Sequence, residues 1–355
     1  MKINKKENTC CSSKSCCSGE RQPGRKPAAP FQKVSTRLTP ADKWGAIRVR
    51  LGIKRMSYQV EPGVYAVGNP GPESVVLVTS NYKLSFDSLR KELSNLDAWI
   101  LVLDTKGINV WCAAGKGTFS TDELVRRIEV TQIAQLVNHR RLIIPQLGAV
   151  GISAHQVKER SGFKVIYGPV RACDLPAFLE AGMKASPEMR RVHFNFYDRL
   201  KVIPVEVSMS LKYLFFSALA FFFLSGLSSS GYSLRLADGW MQAFNIAAAF
   251  IAGTVIGPLL LPWLPGRSFS VKGLWAGIIG FLIIYFADLV GAHPLHVVSW
   301  GFITTAIASF LTMNFTGAST YTSLSGVKKE MRVAVPLQIA SAVIGVGLWI
   351  GARFV

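Results

Sequence analysis

Five nearly continuous apolar stretches, at about residues 208–227, 241–264, 274–291, 297–313 and 333–350, fill the second half of the chain. A helix needs about 20 apolar residues to cross the hydrocarbon layer, so each stretch is of spanning length. Backbone polar groups in lipid must be satisfied within the segment, which makes helices the form these stretches adopt. Charges at their ends predict orientation. Arg190, Arg191, Arg199, Lys201 and Lys212 precede the first stretch, Arg267 and Lys272 separate the second from the third, and Lys328, Lys329 and Arg332 separate the fourth from the fifth. The other side carries only Arg235 and Arg353. Basic loops stay inside. The prediction is a multi-pass protein of the cytoplasmic membrane, N-terminal half in the cytoplasm, C-terminus outside. Asp288, near the outer end of the third stretch beside His293 and His296, reads as interfacial rather than as part of an ion path.

The N-terminal part is built differently. Residues 1–60 carry fourteen Lys or Arg against Glu7, Glu20 and Asp42, a net +11 of the chain's +19. A basic arm leading to a membrane domain suits anionic lipid headgroups. Nucleic acid is the competing partner for a basic arm but is not expected, because nothing else in the chain supports it. No apolar run follows Met1, so a secretory signal peptide is not expected either. Cys10, Cys11, Cys16 and Cys17 lack the two-residue gap of zinc or iron–sulfur ligands. Soft thiolates select soft metals, so these pairs are candidates for capturing a soft metal ion.

Boundaries follow the composition. Residues 1–43 read as a disordered basic tail, 44–60 as a linker, 61–185 as a folded domain, 186–207 as a basic juxtamembrane linker and 208–355 as the membrane domain. Within 61–185, apolar runs at 64–67, 75–78, 99–103, 142–144 and 165–167 alternate with helical patterns. Phe86, Leu89, Leu93 and Leu96 fall at helical spacing, and Ser120 with Glu123 forms a capping box ahead of Leu124, Val125 and Ile128. Apolar strands separated by helices predict an α/β, Rossmann-like parallel sheet covered on both faces, followed by an all-α transmembrane domain of five helices. Ligands bind beyond the carboxyl ends of such strands. Gly68 to Gly71, Thr79 to Asn81, Asp104 to Cys112, Pro145 to Gly151 and Gly168-Pro169 are expected there.

Several standard sites are excluded. Gly115-Lys116 looks like the end of a phosphate loop, but Gly117 and Val110 stand where that motif needs a hydroxyl and a glycine. No G-x-G-x-x-G follows a strand, and no histidine pair has zinc spacing. What remains is Asn109-Val110-Trp111-Cys112-Ala113-Ala114-Gly115-Lys116. A free Cys is most often a small buried hydrophobe. Here Lys116 and a predicted helix start favour the thiolate, the metal-binding form. Ala113, Ala114 and Gly115 leave a nearly bare backbone for a flat macrocycle to approach.

This segment resembles the mercury-methylating corrinoid protein family HgcA, whose signature N-V/I-W-C-A-A-G-K residues 109–116 reproduce without a gap. The resemblance extends over about residues 61–185, including Val76-Leu77-Val78-Thr79 and Pro145-Gln146-Leu147. The domain is also similar to the corrinoid domain of the corrinoid iron–sulfur protein large subunit, which lacks the Trp-Cys pair. The resemblance implies a corrinoid (cobalamin-type) cofactor and a methyltransferase that passes methyl to Hg(II). It implies Cys112 as the lower axial cobalt ligand, Asn109, Val110, Trp111 and Ala113 to Lys116 around the lower face, and Thr79 on the upper side. Asp104, Thr105, Pro145, Gln146 and Leu147 are the further cofactor-binding candidates. It also implies a ferredoxin partner, HgcB, as reductant and a folate-linked methyl donor. Two alternatives stand beside this reading: a membrane-anchored methyl carrier of the acetyl-CoA pathway type, and a metal permease with a cytoplasmic metal-binding domain. Cys173 reads as structural.

Overall fold

The computed structural model describes residues 31–318 and 324–355, so Cys10, Cys11, Cys16 and Cys17 lie outside the described residues. Six strands form one sheet: β1 (Phe31–Val34), β2 (Gly63–Val67), β3 (Val76–Ser80), β4 (Ala98–Leu103), β5 (Arg141–Ile144) and β6 (Lys164–Tyr167). Their order is β1-β2-β4-β3-β5-β6. Helices α1 (Pro40–Arg50), α2 (Lys83–Arg90), α3 (Val110–Lys116), α4 (Thr121–Thr131), α5 (Ala154–Ser161) and α6 (Leu175–Glu180) connect or flank them.

Side chains alternate across a strand, so a strand apolar throughout feeds two cores. All six residues of β4 are buried. Leu101 and Leu103 join Val78, Ala113, Phe119 and Leu124 on the face covered by α3 to α5. Ile100 and Val102 join Leu77, Phe86, Leu89 and Phe178 on the face covered by α2 and α6. This is the predicted two-sided α/β layering.

Three expectations are corrected. The sheet is mixed: β2 pairs antiparallel with β4, whereas β3, β4, β5 and β6 are mutually parallel. The turn at Gly68 and Asn69 therefore lies at the opposite end of the sheet from Cys112, where Asn69 N–H donates to Asp97 Oδ1 at 2.9 Å. Second, residues 31–57 are not all tail and linker. β1 adds to the sheet edge beside β2, and Thr39 caps α1 in a box with Asp42. Polar ties, rather than an apolar periodicity, order this segment. Asp42 accepts from Lys83 Nζ at 2.6 Å and Arg90 Nη2 at 2.8 Å, while Arg90 also reaches the Ser35 carbonyl. Burial pushes the Asp42 carboxyl up, but Lys83, Thr39 and Arg90 outweigh it and hold the group far below the usual carboxylate range. Third, the first apolar helix begins at Phe196, inside the expected basic linker, because Asn195 and Asp198 form a capping box there.

Among the described residues, five helices are long and apolar enough to cross a membrane: Phe196–Leu224, Leu236–Leu260, Phe269–Phe286, Pro294–Asn314 and Gly326–Gly351. Small residues bring the third and fourth together, as is usual where lipid supplies no hydrophobic driving force. A Cβ on Gly277 would sit 2.6 Å from Thr305 Cα, and one on Gly273 2.7 Å from Ser309 Cα. Gln338 Nε2 donates to Ser309 Oγ at 2.8 Å and Trp349 Nε1 to Gln242 Oε1 at 3.0 Å, which ties the fifth helix in. Asp288 is exposed just past the end of the third helix.

Candidate functional site

The site begins at a turn. After β4 the chain reverses through Lys106 and Gly107, both at positive φ (56° and 71°), before α3 starts. A left-handed pair is costly unless its backbone groups find partners. Asn81, buried at the end of β3, supplies them. Its Oδ1 accepts from Thr105 N–H at 3.1 Å, Thr105 Oγ1–H at 2.8 Å and Gly107 N–H at 2.9 Å. Its amide group donates to Gln59 Oε1 at 3.2 Å and lies 3.4 Å from Asp104 Oδ1. Gly107 is also a close approach, since a Cβ there would meet the Met56 carbonyl oxygen at 2.7 Å.

Asn109 then caps α3, its Oδ1 accepting from Cys112 N–H at 2.9 Å. Helical spacing divides the motif between two faces. Val110, Ala113 and Ala114 are buried against the sheet, whereas Trp111, Cys112, Gly115 and Lys116 are exposed. The expectation that Ala113 and Ala114 lie bare for a macrocycle is corrected. Their small size seats the helix, and a Cβ on Gly151 would come within 3.1 Å of Ala114 Cα. Gly115 keeps the open role, with nothing within 4 Å of an added Cβ.

Cys112 is a free, exposed thiol. Burial pushes the nearby Tyr82 phenol up, Arg55 and Arg50 oppose, and Tyr58 and Cys112 act with burial. A cavity of about 420 Å³ opens beyond the strand ends under α3, lined among others by Thr79, Asn109, Trp111, Pro145, Leu147 and Gly168. Cys112 is not part of that lining. The structure thus brings Thr79, Asn109, Val110, Trp111, Pro145 and Leu147 to one cavity and turns Cys112 to the open face of the same helix.

Asp104, Thr105 and Gln146 are tied into the domain's own structure instead. Asp104 N–H donates to Glu123 Oε1 at 2.9 Å, and Asp104 Oδ1 accepts from Lys106 N–H at 3.1 Å. Thr105 is fully buried in the turn. Gln146 Oε1 accepts from Arg190 Nη1 at 2.8 Å. The predicted capping box is half formed: Ser120 Oγ accepts from Glu123 N–H at 3.3 Å, but the Glu123 carboxylate is spent on Asp104 and on Arg127, 2.6 Å away. Sequence reasoning placed Asn81 at the strand ends without a task and gave Glu123 only a helix cap. A polar side chain directly after an apolar strand was the available signal for Asn81.

Among the described residues no group of three or more His, Cys, Asp or Glu converges on a point. A lone sulfur on an open surface fits a metal that arrives with its other ligands already in place, as in a macrocycle. The donor chemistry and the clear space over Gly115 are compatible with a corrinoid.

Residues 53–179 match the family described as the CO dehydrogenase/acetyl-CoA synthase delta subunit. The acetyl-CoA decarbonylase/synthase complex subunit gamma of Archaeoglobus fulgidus is 35% identical over 128 residues, 36% of this chain and 27% of that protein. Its counterpart from Methanopyrus kandleri is 36% identical over 128 residues, with the same shares of each chain. That from Methanocaldococcus jannaschii is 32% identical over 127 residues, 35% of this chain and 26% of the relative. The chain therefore spans about a quarter of the length of the curated relatives it matches. The matched family is consistent with a corrinoid cofactor, the wider kinship that the sequence resemblance implied, and the matches do not single out its mercury-methylating branch.

Proposed function

We propose that this chain is a membrane-bound, corrinoid-dependent methyltransferase whose methyl acceptor is Hg(II), with Cys112 as the residue that would hold the corrinoid's cobalt. The observation that carries the reading is Cys112 itself: a free, exposed thiol, its backbone fixed by Asn109, within the Trp-Cys signature. The bound corrinoid supplies a cobalt-held methyl group. Every other element of the site belongs to the protein. Asn81 and Gly107 shape the turn, Ala113 and Ala114 seat the helix, Gly115 leaves room beside the sulfur, and Trp111 flanks it. Thiolate ligands in haem sites push electron density towards the group opposite. The Cys112 thiolate would donate density in the same way to the metal it holds, and a bound corrinoid would supply methyl in the electron-rich form that a soft electrophile such as Hg(II) takes. Reduction between turnovers falls to a ferredoxin of the HgcB kind, and a folate-linked donor supplies methyl. The domain faces the cytoplasm and the C-terminus faces outward, as the basic loops predict.

A second reading has an observation of its own. The named relatives are all subunits of acetyl-CoA decarbonylase/synthase complexes, and these names support a methyl carrier better than a mercury methylase. That reading leaves Trp111, Cys112 and five apolar helices without a task. A metal permease has less support, since none of the six cysteines lies in an apolar helix.

The test is an optical spectrum of the purified protein followed by methyl transfer with the reduced ferredoxin. A corrinoid band with Hg(II)-dependent methylmercury formation, lost in Cys112→Ala, supports the first reading. A corrinoid band with transfer to a nickel site and none to Hg(II) supports the carrier. Full mercury methylation by Cys112→Ala removes the proposed role of the sulfur.

A further inference from the structure

The segment from Pro40 to Ser57 contributes to neither core face of the sheet, and Val49 is its one buried residue. Along α1, Trp44, Ile47 and Leu51 recur at helical spacing on one side, and all three are exposed. Ile53 and Met56 in the following turn extend this apolar stripe; Trp44 is 61% and Met56 65% exposed. The inner side of the helix carries Gly45, packed on Tyr58, and Asp42, clamped by Lys83 and Arg90. Lys43 and Arg50 border the stripe on one side and Arg48 on the other, with Lys54 and Arg55 beyond. Residues 43–57 thus hold five cations and no acid.

An apolar stripe on a rigidly held helix, edged by cations, is the pattern of a helix lying in a bilayer interface. Its place in the fold agrees. Ser208 Oγ–H of the first apolar helix donates to the Leu51 carbonyl at 2.6 Å, and Gly52 packs near Val205 and Ser208. The charge-free run of that helix starts at Tyr213, just after Lys212. Ser208 precedes it by about 7–8 Å at a rise of ~1.5 Å per residue. The headgroup layer is roughly 5–8 Å deep on each side of the hydrocarbon. The C-terminal end of α1 is therefore at headgroup depth whenever the first helix spans.

We infer that residues 40–57 form an interfacial anchor, with Trp44, Ile47, Leu51, Ile53 and Met56 at the headgroup–acyl boundary and the five cations on anionic lipid headgroups. This segment also backs the turn before Cys112, through the Met56 carbonyl against Gly107. The anchor thereby holds the open face of α3 at a fixed height over the bilayer.

The experiment uses the full chain in phosphatidylcholine vesicles whose acyl chains are brominated near the headgroup end, with or without phosphatidylglycerol. Subtracting the emission of Trp44→Phe from that of the unsubstituted chain isolates Trp44, an exposed side chain whose loss leaves the packing intact. Trp44 emission should fall at least about twofold in the brominated vesicles and further with phosphatidylglycerol, as the attraction of each cation to anionic headgroups requires. A Lys43→Gln, Arg48→Gln, Lys54→Gln variant should keep the quenching in phosphatidylcholine and lose the increment. Unquenched Trp44 that aqueous iodide reaches, the result expected if this face is free or docks a soluble protein, overturns the inference. Quenching indifferent to phosphatidylglycerol in the unsubstituted chain overturns it as well.

Discussion

Replacing Asn81 by Leu removes the single oxygen that three donors share and leaves the N–H groups of Thr105 and Gly107 buried without their acceptor. Thr105 Oγ1–H keeps the Ile108 carbonyl at 2.7 Å, so the damage is confined to the two amides. Each orphaned buried donor costs about 1–3 kcal/mol, which puts the loss at roughly 2–6 kcal/mol. Global stability of a domain is only about 5–15 kcal/mol, so the turn should open locally long before the sheet does. Asn81→Asp is the informative partner. It keeps the acceptor for all three donors, gives up the amide contact to Gln59, and sets a carboxylate facing Asp104. Hydrogen–deuterium exchange of a peptide covering residues 104–112 reads the opening directly. A 2 kcal/mol loss corresponds to about 30-fold faster exchange, so the Leu variant should exceed that and the Asp variant should stay below about tenfold. Exchange in the Leu variant matching the unsubstituted chain would refute the assignment of the turn to Asn81. Equal acceleration in both variants would refute the claim that the oxygen, rather than the amide group, holds it.

Asp42→Asn should loosen α1 from α2 and cost about 2–4 kcal/mol, since Arg90 and Lys83 are left with Asp87 alone in a largely buried cluster; limited proteolysis between residues 35 and 57 would detect it. Because the folded Asp42 carboxyl lies below its unfolded value of about 3.9, its contribution is complete above that pH and fades as pH falls towards the folded value. The stability gap between the unsubstituted chain and Asp42→Asn should thus be flat above about pH 5 and narrow below about pH 4, and an acid-insensitive gap would contradict the ion-pair account. Gly107→Ala should cost about 2 kcal/mol or more, from a left-handed backbone and a contact with the Met56 carbonyl, read as lowered thermal stability of the N-terminal domain. Cys112→Ala, by contrast, should leave thermal stability within about 0.5 kcal/mol of the unsubstituted chain, because the side chain is exposed and unpaired.

What the sequence makes legible is what repeats or runs without interruption. The five strands from β2 to β6 declare themselves as apolar runs, the spans by length, and the Cys112 motif by contiguity. What it hides are contacts between distant polar residues. Asn81 meets Thr105 and Gly107 across 24 and 26 positions, Glu123 reaches back 19 positions to Asp104, and Asp42 meets Arg90 across 48. None of these spacings is periodic, and each side chain alone resembles an ordinary turn former or solvated charge. The direction of β2 is hidden for a similar reason: Val64 to Val67 is equally apolar read either way, and only the pairing Gly63 with Val102 through Val67 with Ala98 fixes it. The same blindness explains the misreading of Ala113 and Ala114. A run of small residues in a motif suggests an open surface, but a helix turns each successive residue by about 100°, so a contiguous run cannot all face one way. Applied to residues 109–116, that rotation separates Val110, Ala113 and Ala114 from Cys112 and Gly115, and it separates the cavity under Trp111 from the thiol. Any molecule that binds Cys112 must therefore approach the outer face of α3, whereas Thr79 lines the cavity on the other side.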